Sequence, residues 1–117
     1  MFSRECKLRK DKDFKRIFKK GVCFREAAAS IRIIPNDVSI NRFAFVVGTK
    51  ISKKAVIRNK IRRRMENFVQ TRLSGISAVG YDVVFVAHDG HKLQTYAEIG
   101  IVTEKLIIKA GLLAKTS

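Results

Sequence analysis

The sequence predicts an α+β fold: a small sheet of three to four strands with three helices. Three segments carry apolar residues at helical spacing. Short apolar runs bounded by turn-forming residues indicate the strands. A strongly basic segment lies between two of these runs, and is therefore predicted to form the crossover helix of a β-α-β unit. Because the 117 residues contain no repeat and no linker-like stretch, residues 1–117 are predicted to form a single domain.

The first predicted helix follows a basic N-terminal arm. Residues 1–10 carry four cations and little apolar periodicity. Asp11 is the expected cap of a helix over residues 12–20, which Gly21 ends. The apolar side chains of this helix, among many lysines and arginines, are Phe14, Ile17 and Phe18. Ile17 is expected to supply the core contact, whereas rings set among cations suit the stacking of unpaired bases.

Three stretches have the composition of strands. Residues 30–34 alternate in part and end at a Pro-Asn-Asp turn. Residues 43–47 are apolar enough for a central strand, and residues 81–87 are nearly continuous in apolar side chains, as in a strand buried on both faces. Residues 74–80 are predicted to form a loop before the last of these strands.

The last helix is predicted from a capping box. Thr95 and Glu98 have the spacing in which each side chain bonds the other residue's backbone N–H. Gly100 and Gly111 lower the intrinsic stability of the helix. Its predicted core residues are Ile99, Val102, Leu106, Ile107, Ala110 and Leu113.

The basic segment is amphipathic, with Ser52 as the expected N-cap and an end near Arg72. At 100° per residue, one face is predicted to pack on the core and consists of Ile57, Ile61, Met65 and Phe68. No Asp or Glu occurs between Asp37 and Glu66. Like charges spaced i, i+4 on a helix cost about 0.2–0.5 kcal/mol per pair. An anionic partner that offsets this cost is therefore expected.

Whole-chain composition favours a nucleic-acid partner. The net charge of +15 and the pI near 10.4 attract polyanions, and an apolar fraction of 46% excludes general disorder. An anionic membrane surface is the competing partner, but the core requires the apolar face that lipid would need. There is no apolar run of membrane-spanning length and no secretory signal. Cys6 and Cys23 are expected as free thiols, and the protein as cytoplasmic.

No convincing catalytic set is visible. His88 and His91 are more simply explained by a tight turn, Asp89-Gly90, than by a metal site. Paired carboxylates and glycine-rich phosphate loops are absent. RNA is favoured over DNA because the basic helix offers phosphate-type contacts, which position a partner, and few base-reading side chains. The chain is predicted to bind RNA, with no catalytic residue and no metal ligand.

Three motifs resemble the bacterial ribonuclease P protein component. Residues 56–63, Val-Ile-Arg-Asn-Lys-Ile-Arg-Arg, resemble its R-N-R-x-x-K-R helix. Residues 13–21, with the Phe-x-x-x-Phe pair, resemble its D-F-x-x-V-F-x-x-G helix, and residues 81–87 resemble its D-hydrophobic-A strand. The motifs follow one another in family order over roughly residues 8–110.

The resemblance implies a fold like the second domain of ribosomal protein S5. It also implies the function of a ribonuclease P subunit, which promotes endonucleolytic removal of the 5′ leader from precursor tRNA. The catalytic subunit is then an RNA that holds Mg²⁺, and the protein binds no cofactor. The expected contacts to the catalytic RNA are Lys50, Lys54, Arg58, Asn59, Lys60, Arg62, Arg63 and Arg64. The expected contacts to the leader are Phe14, Phe18, Lys15, Arg16 and Arg32.

The chain departs from the family pattern at two informative positions. Lys60 stands where the motif has Arg, so the charge stays while a bidentate phosphate contact is lost. The first predicted strand offers Arg32 where the family often has an aromatic ring. A ribosomal or ribosome-associated RNA-binding protein without processing activity is the alternative function, since it would share composition and fold class.

Overall fold

The computed structural model describes residues 6–72 and 80–112. Its helices are α1 (Asp11–Lys20), α2 (Ala55–Thr71) and α3 (Tyr96–Lys109), and its strands are β1 (Val22–Arg25), β2 (Ala29–Pro35), β3 (Arg42–Val46) and β4 (Tyr81–Ala87). The strands lie side by side in the order β1-β2-β4-β3. β3 and β4 are parallel, whereas the other neighbours are antiparallel. The predicted α+β class is confirmed, with four strands in the sheet.

α2 connects the parallel neighbours β3 and β4, which confirms the predicted crossover. Because side chains alternate along a strand, the sheet has two distinct faces. α2 and α3 cover one face, and α1 covers part of the other. None of the helices in the described ranges has the length and apolar character that crossing a bilayer requires.

The main core lies between the sheet and the α2–α3 pair. Its fully buried members include Met65 and Val69 of α2, Leu106 of α3, and Phe85 of β4. Gly100 allows the two helices to approach closely, because a Cβ built there would lie 2.9 Å from the Phe68 ring. The glycine that lowers helix propensity in the sequence is therefore required by packing.

A smaller cluster fixes α1 and part of the N-terminal arm on the opposite face. Ile17, Leu8 and Val84 are its buried residues, and Phe14 packs against them. The Leu8 N–H donates to the Phe43 carbonyl at 2.9 Å, which places this part of the arm along β3. The predicted core role of Ile17 is confirmed. Residues 1–5 of the predicted arm lie outside the described residues.

The predicted caps of α1 and α2 are wrong, whereas that of α3 is confirmed. α1 begins at Asp11 after Lys10, and α2 begins at Ala55 after Lys54, in both cases without a side-chain cap. Ser52 instead accepts a hydrogen bond from the Lys54 N–H, which forms a turn ahead of the helix. Thr95 and Glu98 form both bonds of the capping box.

Two other features differ from the sequence prediction. β1 was not predicted, because its four residues, Val-Cys-Phe-Arg, do not alternate between apolar and polar side chains. Ile57, predicted to face the core, is 40% exposed. The first turn of α2 borders an open cavity there, which leaves the Ile57 side chain partly exposed to solvent. Leu113, predicted in the α3 stripe, and most of the predicted loop at residues 74–80 lie outside the described residues.

Candidate nucleic-acid interface

One buried carboxylate organises the end of the sheet beneath α1. The Asp82 side chain has no exposed surface. Its Oδ1 accepts hydrogen bonds from Arg42 at 2.8 Å and Asn36 at 2.9 Å. Its Oδ2 accepts from Arg42 at 2.8 Å and Arg16 at 2.9 Å. We call these four residues the Asp82 cluster. It connects α1, β3, β4 and the turn after β2 through a single carboxylate.

The cluster keeps Asp82 ionised. Burial alone would raise the pKa of Asp82, but hydrogen bonds from Arg42 and Asn36 and the adjacent positive charges lower it below its ordinary value. The same contacts raise the pKa of Arg42. Arg16, expected at the leader, has its guanidinium bound inside this cluster and also to the Pro35 carbonyl at 3.1 Å. The structure therefore gives Arg16 an internal role in holding α1 on the sheet.

The cations on the surface of α2 differ from the arginines of the Asp82 cluster in their ion pairing. We define the α2 surface as Lys54, Arg58, Asn59, Lys60, Arg62, Arg63 and Arg64. Within the described part of the chain, none of its cations lies within 4 Å of a carboxylate. All are exposed except Arg58 and Arg64, which are half-buried. The predicted catalytic-RNA contacts are thus brought together on α2 and its N-cap residue Lys54, with Lys50 in the loop that precedes the helix.

Backbone contacts orient the two half-buried arginines of α2. Arg58 donates from Nη1 to the Ser52 carbonyl at 2.9 Å. Arg64 donates from Nη1 to the Gln94 carbonyl at 3.2 Å, across to the segment before α3. A carbonyl leaves the guanidinium charge uncompensated, and the remaining N–H groups can donate to a phosphate. These contacts therefore preorganise charge without neutralising it.

A second surface lies on the sheet beside α1, where the helix leaves the face uncovered. Strand register places Arg25, Ser30 and Val86 in one row across the sheet, next to a row containing Arg32. His88 follows β4 at the same end, and its Nε2 lies 2.7 Å from Ser30 Oγ. We define the cleft as the surface formed by Phe18, Arg25, Arg32 and His88, beneath which Ser30 is buried.

The structure separates the two phenylalanines expected at the leader. Phe18 is 44% exposed, and the Arg32 guanidinium lies 5.2 Å from its ring centroid, a cation–π contact. Phe14 instead packs half-buried against Leu8, Ile17 and Val84. Phe18 and Arg32 can therefore offer stacked planar groups to a base, while Phe14 contributes to packing.

The cleft is positively charged around its histidine. Burial, and then the nearby Arg25, Lys50 and Arg32, lower the pKa of His88 below its ordinary value of 6.5. Three cations near His88 make the local potential positive, which favours a phosphate. Lys15, three residues before Phe18 on α1, is exposed and carries a further charge.

The histidines do not form a recognisable metal centre. Asp89 Oδ1 accepts from the His91 backbone N–H at 3.0 Å, which is the turn expected from the sequence. In residues 6–72 and 80–112, no three His, Cys, Asp or Glu side chains are grouped as metal ligands. That the protein holds no metal of its own stays a prediction.

Sequence reasoning missed Arg25, His88 and the Asp82 cluster. Arg25 and His88 join Arg32 only through the β1–β2–β4 register, which no local pattern encodes. Asp82 carries a signal, however. An acidic residue within an apolar, doubly covered strand is expected to have a buried cationic partner. That partner could have been sought among the arginines of the neighbouring strand.

Comparisons with known proteins show the family to which the chain belongs. The family model for ribonuclease P matches residues 2–111. The ribonuclease P protein component of Clostridium botulinum strain Langeland is 30% identical over 109 residues, which make up 93% of this chain and 97% of that protein. The component from Alkaliphilus metalliredigens strain QYMF is 31% identical over 108 residues, which make up 92% and 96% of the two chains.

Solved structures show the same fold. The RNase P protein of Staphylococcus aureus matches with a TM-score of 0.84 and 25% identity, covering 93% of this chain and 98% of that one. The RNase P protein of Thermotoga maritima matches with a TM-score of 0.77 and 23% identity, covering 88% and 96%. The chain belongs to the ribonuclease P protein family, which serves the 5′ processing of tRNA.

Proposed function

We propose that this chain is the RNA-binding subunit of a ribonuclease P ribonucleoprotein and contacts two RNAs on two separate surfaces. The α2 surface binds the catalytic RNA, and the cleft binds the 5′ leader of precursor tRNA. The observation that supports this division most strongly is the set of α2 cations without carboxylate partners in the described residues.

The two surfaces suit different kinds of RNA. α2 presents a rigid row of charges, which fits the phosphates of a folded RNA. The cleft pairs an exposed ring and guanidinium, Phe18 and Arg32, with the positive field around His88. Stacking planes beside cations fit an unpaired strand such as a leader.

Cleavage is proposed to take place in the RNA subunit. Ser30 and His88 are within hydrogen-bond distance of each other, but Ser30 is 3% exposed and out of reach of a phosphodiester. The Mg²⁺ ions that activate water are therefore assigned to the RNA, and the protein raises substrate affinity and lowers the Mg²⁺ requirement. The cytoplasm is the proposed location. A ribosomal role is not favoured, given the family to which the chain belongs.

Reconstitution tests the proposal. The protein is mixed with the catalytic RNA of its own source and a precursor tRNA at low Mg²⁺, where that RNA alone is slow. The proposal predicts 5′ cleavage that requires both subunits. Rigorously RNA-free protein that cleaves precursor tRNA would contradict it, and so would an RNA subunit whose rate the protein leaves unchanged.

A further inference from the structure

A cavity of about 500 Å³ lies beside α2, and His88 of the cleft is among the residues that line it. The loop after β3, the first turns of α2 and the turn after β4 line it, and it is open to solvent on one side. Its apolar wall is formed by Ile57, Ile61 and Leu93. The size falls within the range of small-ligand sites.

The apolar wall is open at Ile57. Ile61 and Leu93 are buried, at 6% and 1% exposure, but Ile57 is 40% exposed. Helical periodicity places Ile57 on the core-facing stripe, yet the structure leaves it uncovered at the cavity. Covering exposed apolar surface with an apolar group of a ligand removes it from water and therefore favours binding.

The polar rim of the cavity is cationic. Lys50, Lys60 and Arg64 line it, with Asp89 as a carboxylate among the lining residues. The Asp89 Oδ1 is already bound to the His91 backbone N–H. Arg64 is held at the rim by its bond to the Gln94 carbonyl. The rim therefore complements a negatively charged group attached to an apolar one.

We propose that this pocket receives a single unstacked nucleotide of the catalytic RNA, with its base against Ile57 and its phosphate between Lys60 and Arg64. The flat face of a base can cover the exposed apolar wall, and the negative charge of a phosphate can pair with the cations of the rim. Specific RNA recognition commonly uses bases that are splayed out of the helix. The inference rests on the proposed function, because it takes the bound polyanion to be RNA.

An acidic peptide segment with one apolar side chain would also complement the charge of the rim and is the competing occupant. The RNA nucleotide is favoured because Lys60 and Arg64 belong to the α2 surface, which already faces RNA under the proposed function. A base in the pocket and phosphates along the exposed face of α2 would then be parts of one continuous contact.

The test uses single substitutions of Ile57 and, separately, of its neighbour Val56 in the full chain. Val56 lies one residue earlier in the same helical turn, is 75% exposed and does not line the cavity. The variants are Ile57→Gln and Ile57→Ala, with Val56→Gln and Val56→Ala as matched controls. Gln and Ala are better helix formers than Ile or Val, so α2 is retained. A thermal melt of each variant verifies this.

Two quantities are measured on the complex with the catalytic RNA. The Ile57 variants should weaken affinity about three- to tenfold, whereas the Val56 variants should match wild type. Base-specific chemical probing should show one unpaired base that wild type and Val56→Ala protect and Ile57→Ala leaves reactive. Backbone footprints should stay the same in all complexes.

Three outcomes would overturn the pocket assignment while the proposed function stands. In the first, the Ile57 variants keep wild-type affinity and base reactivity is unchanged. In the second, the Ile57 and Val56 variants lose affinity equally. In the third, the wild-type protein protects no unpaired base. The first is what an acidic peptide as occupant would give. Failure of the wild-type protein to bind the catalytic RNA would instead refute the proposed function itself.

Discussion

The Asp82 cluster and the α2 surface use arginine in opposite ways. In the cluster, Arg16 and Arg42 share one fully buried carboxylate. On α2, the cations meet backbone carbonyls or solvent, and no carboxylate of the described residues lies within 4 Å. The comparison shows that position relative to the few acidic residues decides whether a cation stabilises the fold or remains available to a partner.

The largest expected effect follows from removing the carboxylate of the cluster. Asp82→Asn keeps the shape of the side chain but leaves Arg16 without its counter-charge and Arg42 with only the longer contact to Asp13, at 3.8 Å. Breaking one side of a buried ion pair costs about 3–5 kcal/mol, which urea unfolding at neutral pH would measure. Asp37→Asn, at an exposed turn, is the control and should change stability little. A loss below about 1 kcal/mol for Asp82→Asn would contradict a structural role.

The contribution of Asp82 should also depend on pH in a defined direction. Because the folded-state pKa lies below the ordinary 3.8, the unfolded chain binds the proton first as the pH falls. The stabilisation is therefore complete above that value and is lost as the pH drops through the folded-state pKa. Unfolding midpoints at several acid pH values should show wild type approaching Asp82→Asn. A gap that stays constant down to the acid limit would argue against this linkage.

Truncating the two phenylalanines of α1 should separate packing from RNA binding. Phe14→Ala removes a ring from the Leu8, Ile17 and Val84 cluster and should cost about 2–3 kcal/mol of folding stability. Phe18→Ala should leave stability nearly unchanged but weaken binding of leader-bearing substrate by about 1–2 kcal/mol. Thermal melts and affinities for precursor and mature tRNA measure both. An equal loss of affinity for the two tRNAs in Phe18→Ala would end the cleft assignment.

Anion binding should produce the smallest of these effects. The uncompensated charges of α2 repel one another in the free protein, so sulfate or phosphate bound there should raise the melting temperature. Chloride at matched ionic strength controls for screening alone. Neutralising Arg63 and Lys60 together should reduce the difference between sulfate and chloride. The same increase in both salts would count against site binding.

Features that depend on residues close together in the chain could be predicted from the sequence. The capping box of Thr95 and Glu98 spans a single helical turn, and β4 has the predicted bounds, because its apolar run is continuous. The burial of Ile17 was predicted from its place among the apolar residues of α1, with the two neighbouring rings assigned to base stacking. The cations of α2 could be assigned as a group for the same reason, since they share one helix.

Features set by distant contacts could not be predicted in this way. Asp82 is bound by residues 40 and 66 positions away, so its burial depends on the assembled sheet. The predicted leader contact Arg16 is committed to that carboxylate for the same reason. Ile57 fits the core stripe of α2 but faces a cavity, because the neighbouring loop and turn do not close over it. Arg25 reaches the cleft only through the register of β1.

The most direct test of the central claim compares Arg63→Ala with Arg16→Ala in binding the catalytic RNA over a range of salt concentrations. If about five α2 and loop cations reach phosphates, log K should fall with log salt with a slope of roughly −3.5 to −4.5. Arg63→Ala should make this slope shallower by about 0.7–0.9 without lowering the melting temperature. Arg16→Ala should lower the melting temperature and leave the slope at the wild-type value. Equal changes of slope in both variants, or none with Arg63→Ala, would contradict the account.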